Sequence, residues 1–195
     1  MTEQLQAADP AASSESADRV IAATRNWVEK AVIGLCLCPF AASPYLRGLI
    51  RYRVSEQQSP EGLAEELMQE LKYLAAADPL LCETSLLIHP HVLGDFLDYN
   101  QFLDQADAAV AALGLKGTLQ IASFHPAYQF AGSASNDVEN CSNRSPYPML
   151  HLLRESSVRR ATATFPGVNE IGNRNVATLR ELGAAGLRKL LNAER

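Results

Sequence analysis

Cysteine is scarce in this chain: Cys36, Cys38, Cys82 and Cys141 are all there is in 195 residues. That is too few for a disulfide scaffold, and Cys36-x-Cys38 has neither the spacing nor the second pair that a structural zinc site needs. No apolar run approaches the roughly 20 residues that span a bilayer, so no membrane partner is expected. The opening segment MTEQLQAADPAASSESA has no basic region followed by an apolar one. No signal peptide is therefore visible, and the cytoplasm is the expected compartment. Missing as well are GxxxxGK[ST], GxGxxG after a strand, HExxH and GxSxG. Those absences exclude P-loop nucleotide hydrolysis and a standard dinucleotide fold, and leave the cofactor unknown. Aromatics make up 7% of the chain, and they are not interleaved with basic residues as in a nucleic-acid surface. With a net charge of −5, no nucleic-acid partner is expected.

What is present is an ordinary globular composition, 47% hydrophobic and 20% charged, long enough for one real core. The charge is unevenly placed. Residues 1–143 hold 8 Lys/Arg against 18 Asp/Glu, whereas 144–195 hold 9 against 4. Two oppositely charged parts of one fold would attract each other; a local basic site for a small anion is the sharper reading.

Residues 1–17, rich in Ala, Ser and Gln, read as a disordered tail, and 18–195 as a single α/β domain. A helix is predicted from Ser16 or Asp18 to Leu35, with Val20, Ile21, Thr24, Trp27, Val28, Ala31 and Val32 on one face. Leu49–Val54 alternates and reads as a strand. Ser59 and Pro60 open a second helix striped by Leu63, Leu67, Leu71 and Leu74. Ser85–His89 is a continuous apolar run, as in a buried strand. Asp95–Leu113 reads as a third helix ending at Gly114. Residues 117–126 contain the third strand, and Val168–Glu194 reads helical. Strand alternating with helix predicts a small, mostly parallel sheet with flanking helices. A ferredoxin-like α+β sandwich with a fourth strand is the alternative.

The stretch NRSPYPMLHLLRE, residues 143–155, places His151, Arg154 and Glu155 among leucines. As a helix, Ser145 would cap it, Pro146 and Pro148 would fall in the first turn, and the three ionisable residues would share a face. As a strand, His151 and Glu155 would share a face and Arg154 would point away. The helix is preferred, and its N-terminus would then present free N–H groups beside Asn143 and Arg144, an anion site. Just before it runs a polar loop of about twenty residues, a length that compact domains rarely leave without a role. It follows a strand end, where open α/β sheets place ligands, and His125 stands at that end. Self-satisfying Asx turns are the competing explanation.

Cys38 is a candidate nucleophile if a cation lowers its pKa, and otherwise an inert buried thiol. His89 and His91 alternate and can donate two ligands, but no third is evident, so no metal is expected.

The motifs NWVEKAVIGLCLCPFA (26–41), FHPAYQFAG (124–132), NRSPYPMLHLLRES (143–156) and EIGNRNVATLRELG (170–183) resemble a family of bacterial and plastid proteins known as a domain of unknown function. The resemblance brackets most of residues 20–190. It implies that Cys38, His125, Asn143, Arg144, His151, Arg154 and Glu155 belong to shared motifs, and it implies no activity. Cys36 departs from the pattern, where a polar residue such as Asn is expected.

Three readings follow. In the first, an enzyme acts on a small anionic phosphate or carboxylate, as a hydrolase or transferase. Arg144 and Arg154, with Asn143 and His151, would hold the anion, His125 would act as acid or base, and Glu155 and Cys38 would be further catalytic candidates. In the second, the same pocket binds a ligand without turnover. In the third, the polar motifs hold the 125–145 loop in shape. The first requires His125, Arg144 and Arg154 to converge on one solvent-reachable hollow.

Overall fold

The computed structural model describes residues 10–192, with side chains from residue 17 onward. Residues 1–9 of the expected tail lie outside the described residues, and helix α1 runs Pro10–Trp27. It continues without a break into a π-helical turn, Val28–Ile33. A short helix α2 (Ala42–Leu46) leads into β1 (Ile50–Val54). Then come α3 (Pro60–Ala76), β2 (Thr84–Ile88), α4 (Phe96–Ala112) and β3 (Leu119–Phe124). After the long loop follow β4 (Met149–Arg154), α5 (Glu155–Thr164) and α6 (Ile171–Asn192).

Local chemistry explains these boundaries. The Ser59 hydroxyl accepts from Gly62 N–H at the start of α3, and Pro60 stands where an N–H would go unused. Asp95 caps α4 by accepting from the Leu97 and Asp98 N–H groups. Leu63, Leu67, Leu71 and Leu74 are all fully buried, as their spacing predicts.

The sheet order is β1-β2-β4-β3. β1 and β2 pair in parallel, but β4 pairs antiparallel with both β2 and β3. The expected mostly parallel sheet is therefore corrected to a mixed α/β sheet in which two of the three ladders are antiparallel. The cause is β4. Residues 149–154 form a strand rather than the preferred helix, because a slot between β2 and β3 satisfies their backbone on both sides. An apolar run gains more there than its helical spacing offers. The prolines before it favour extended backbone, and the Pro148 carbonyl accepts from His89 N–H.

Strand alternation divides the sheet into two faces. One face carries Leu87, Leu119, Leu150 and Leu152, packed under α3 and α4. On this face Arg51 and Arg53 of the edge strand β1 reach Glu70 and Glu66 of α3. The other face carries Leu86, Ile88 and Met149 beneath α1, the π turn and α6. Val20, Thr24, Trp27, Val28 and Ala31 are buried, as the first helix's pattern predicts.

Candidate functional site

The register sets the site. His151 lies between Leu86 of β2 and Ala122 of β3, on the face beneath the N-terminal helix. At this end of the sheet the helical layer does not close down fully. A cavity of about 280 Å³ remains between the strands, the π turn, the segment after it and α5. Trp27, Val28 and Val32 form one wall, Cys38, Phe40 and Ala41 a second, and Val158 and Ala161 of α5 a third. Ala122, Phe124, His151 and Leu153 make the floor. Trp27 meets Phe124 edge-on at 5.2 Å between ring centres, and Phe124 meets the His151 ring at 6.1 Å. Apolar walls with few polar groups are what a small-molecule site requires.

The π turn places part of that wall. Gly34 N–H donates to the Glu29 carbonyl, five residues back, at 2.9 Å. A β-carbon on Gly34 would lie 2.3 Å from the Lys30 carbonyl oxygen, so the wider turn has room for glycine alone.

Proton positions follow from hydrogen bonding. The Thr84 hydroxyl donates its single proton to the Leu152 carbonyl at 2.5 Å. His151 Nε2, 2.8 Å from the same hydroxyl, must then be the donor. The imidazole is held as the Nε2–H tautomer, and Nδ1 keeps its lone pair. Nδ1 has no protein partner among the described residues. Burial lowers the His151 pKa to about 4, so the ring is neutral near pH 7. Burial also raises the Cys38 pKa, despite backbone N–H groups that favour the thiolate, so the thiol keeps its proton. The imidazole and the thiol are therefore uncharged, and Glu83, which also lines the cavity, is paired with the exposed Arg160.

Of the residues singled out from sequence, Cys38 and His151 share this cavity. Arg154 borders it where β4 meets α5, but the strand's alternation sends its guanidinium to the opposite face. There Nη2 donates to the carbonyl of Leu74 in the last turn of α3 and to those of Ala77 and Cys82 after it. Its Nε is buried without a partner. His125 is 1% exposed and likewise elsewhere. Its Nδ1 accepts from Ala127 N–H, its Nε2 donates to the Leu93 carbonyl, and its ring packs on Phe96 and Tyr99. Arg144 donates to the Tyr128 and Ser135 carbonyls, and Asn143 Nδ2 to the Ser123 carbonyl. Asn140, fully buried, accepts from Phe130 N–H and donates to the Ala134 carbonyl. Glu155 accepts from Gly117 N–H and Arg159, beside a separate open hollow. The structure does not bring His125, Arg144 and Arg154 into a common hollow. With residues 149–154 in a strand, the anticipated helix N-terminus beside Arg144 does not exist either.

Sequence reasoning passed over Thr84, Trp27, Ala122 and Phe124. Gly34, near the end of the first helix and five residues before Pro39, is the one local signal of an unusual turn. Nothing near Thr84 in sequence points to His151, 67 residues away. Among the described residues, no group of three or more His, Cys, Asp or Glu side chains is arranged to hold a metal.

The family described as Protein of unknown function (DUF1415) matches residues 19–189. The chain belongs to this family. The DUF1415 match runs from α1 into α6 and takes in every wall of the cavity. No curated protein and no solved structure matches the chain. Among the described residues, no helix is long and apolar enough to cross a membrane.

Proposed function

We propose that this protein binds a small, largely apolar molecule in the cavity beneath the π turn, with Cys38 and His151 as its polar contacts. One observation carries the reading: an apolar cavity of about 280 Å³ with an oriented acceptor, His151 Nδ1, that has no protein partner among the described residues. The volume suits a compact occupant, since an apolar cavity of about 150 Å³ holds a benzene ring. Binding without turnover is favoured over anion chemistry. An anion here would meet a neutral imidazole and a neutral thiol, while the guanidinium groups of Arg144 and Arg154 are tied to backbone carbonyls. In this reading His125, Asn143, Arg144, Arg154 and Glu155 are scaffolding.

Thermal denaturation with compact aromatic fragments (toluene, phenol, indole and benzoate) tests it. A fragment at 100 times its Kd adds about 2.7 kcal/mol, or roughly 5–10 °C in Tm for a chain of this size. Ala122→Leu, which fills the floor, removes that rise. The proposal fails if no fragment raises Tm, or if the rise survives Ala122→Leu.

A further inference from the structure

From the hydrogen-bond order at His151 we infer that the cavity selects molecules bearing one O–H or N–H donor on a compact apolar body, and discriminates against carboxylates. The inference rests on the cavity-binding reading and names its ligand class.

Proton ownership at His151 sets the ligand class. A threonine hydroxyl has one proton, and Thr84 gives it to a backbone carbonyl of β4. That leaves Thr84 as an acceptor toward His151 and makes Nε2 the protonated nitrogen. The remaining nitrogen can then only accept. Trp27, Cys38, Gln120 and Ser157 also line the cavity and carry donors, but among the described residues no hydrogen bond links any of them to His151. An apolar molecule seated here would leave the Nδ1 lone pair unsatisfied, whereas a donor-bearing one restores the bond that water would make. A carboxylate has no proton to give and meets no cation on the cavity floor.

This differs in kind from the anion site suggested by the arginines of the same motif. In that stretch the cationic side chain and the imidazole lie on opposite faces of one strand. Only the imidazole faces open volume.

Phenol and toluene, equal in shape and differing by one donor, are the probes, with benzoate as the anionic arm. Their dissociation constants are read by NMR titration at pH 7 on wild type, His151→Phe and Thr84→Val. Phenol is expected to bind wild type about three- to tenfold more tightly than toluene, the worth of one net hydrogen bond. The ratio falls to about one in His151→Phe, which keeps a ring and loses the acceptor. In Thr84→Val the tautomer is released and the ratio shrinks. Imidazole ¹⁵N spectra of wild type should carry the Nε2–H signature at His151 independently of any variant's folding. Equal binding of phenol and toluene to wild type, or benzoate binding tighter than phenol, overturns the inference and leaves cavity binding standing. If neither neutral probe binds, the cavity-binding reading falls with it.

Discussion

At the scale of single residues, the histidines divide by what their second nitrogen meets. His125 has both nitrogens bonded to backbone, so it serves to shape the loop at the end of β3. His89 donates from Nδ1 to the Val92 carbonyl, and its Nε2 is buried with no partner. Burial holds its pKa at about 4. The direction of the resulting pH effect is set by which state binds the proton. Above about pH 6.5 the ring is neutral in both folded and unfolded chains, so its burial carries no pH-dependent penalty. As pH falls from 6.5 toward 4, the unfolded chain takes up a proton that the fold refuses, and stability declines. His89 alone accounts for about 3 kcal/mol across that window, and His151 and His125 act in the same direction. Urea unfolding at pH 7 and pH 5 should show a stability gap in wild type that narrows in His89→Leu. A gap of unchanged size would mean that His89 takes up its proton in the fold at an ordinary pH.

Among the elements, the N-terminal helix and β4 carry the site, and each departs from the expectation its residues create. Residues 18–35 have the spacing of one regular helix, and their apolar face packs as that spacing predicts. The π turn at its end is the departure, and Gly34 permits it. In an ordinary helix, Gly→Ala stabilises by about 1 kcal/mol. Here the added methyl collides with the Lys30 carbonyl, so Gly34→Ala is expected to destabilise by about 1–3 kcal/mol in chemical denaturation. A gain in stability would show that the turn relaxes to a regular helix without cost. β4 departs further. Its leucines, its histidine and its arginine have helical spacing, yet its partners at Thr84–Ile88 and Leu119–Phe124 turn it into a strand. Three residues apart on a helix is one face; on a strand it is two. That change alone separates His151 from Arg154.

For the molecule as a whole, the two sides of the sheet are unequally sealed. Under α3 and α4 the core is continuous, and Arg154 ties the end of α3 and the segment after it to β4 through three carbonyls. On the other side the cavity interrupts the packing, and α5, which contributes part of its wall, has no buried residue. Amide exchange should follow that difference. Protection is expected to be greatest in β2, β4 and α3 and far lower in α5, because opening α5 exposes little apolar area. Equal protection of α5 and α3 would indicate a partner or contact that covers α5. The charge asymmetry between residues 1–143 and 144–195 is used at this scale too. Arg180 of α6 pairs with Glu139 of the loop, and Arg160 of α5 with Glu83. These contacts join the acidic part to the basic one, as the plainer reading of the composition anticipates.

Much of this architecture is written in short-range pattern. The leucine stripe of α3, the caps at Ser59 and Asp95, the strands near 50, 86 and 121, and the Asx-rich loop all depend on neighbours within a few residues, so spacing alone reveals them. The mixed sheet, the strand at 149–154, the cavity and the protonated nitrogen of His151 have a different origin. Each depends on groups far apart along the chain: Thr84 with His151, Leu74 with Arg154, Trp27 with Phe124. Periodicity shows which residues favour burial or bonding, but a partner's identity is settled only when packing brings two distant segments within bonding distance.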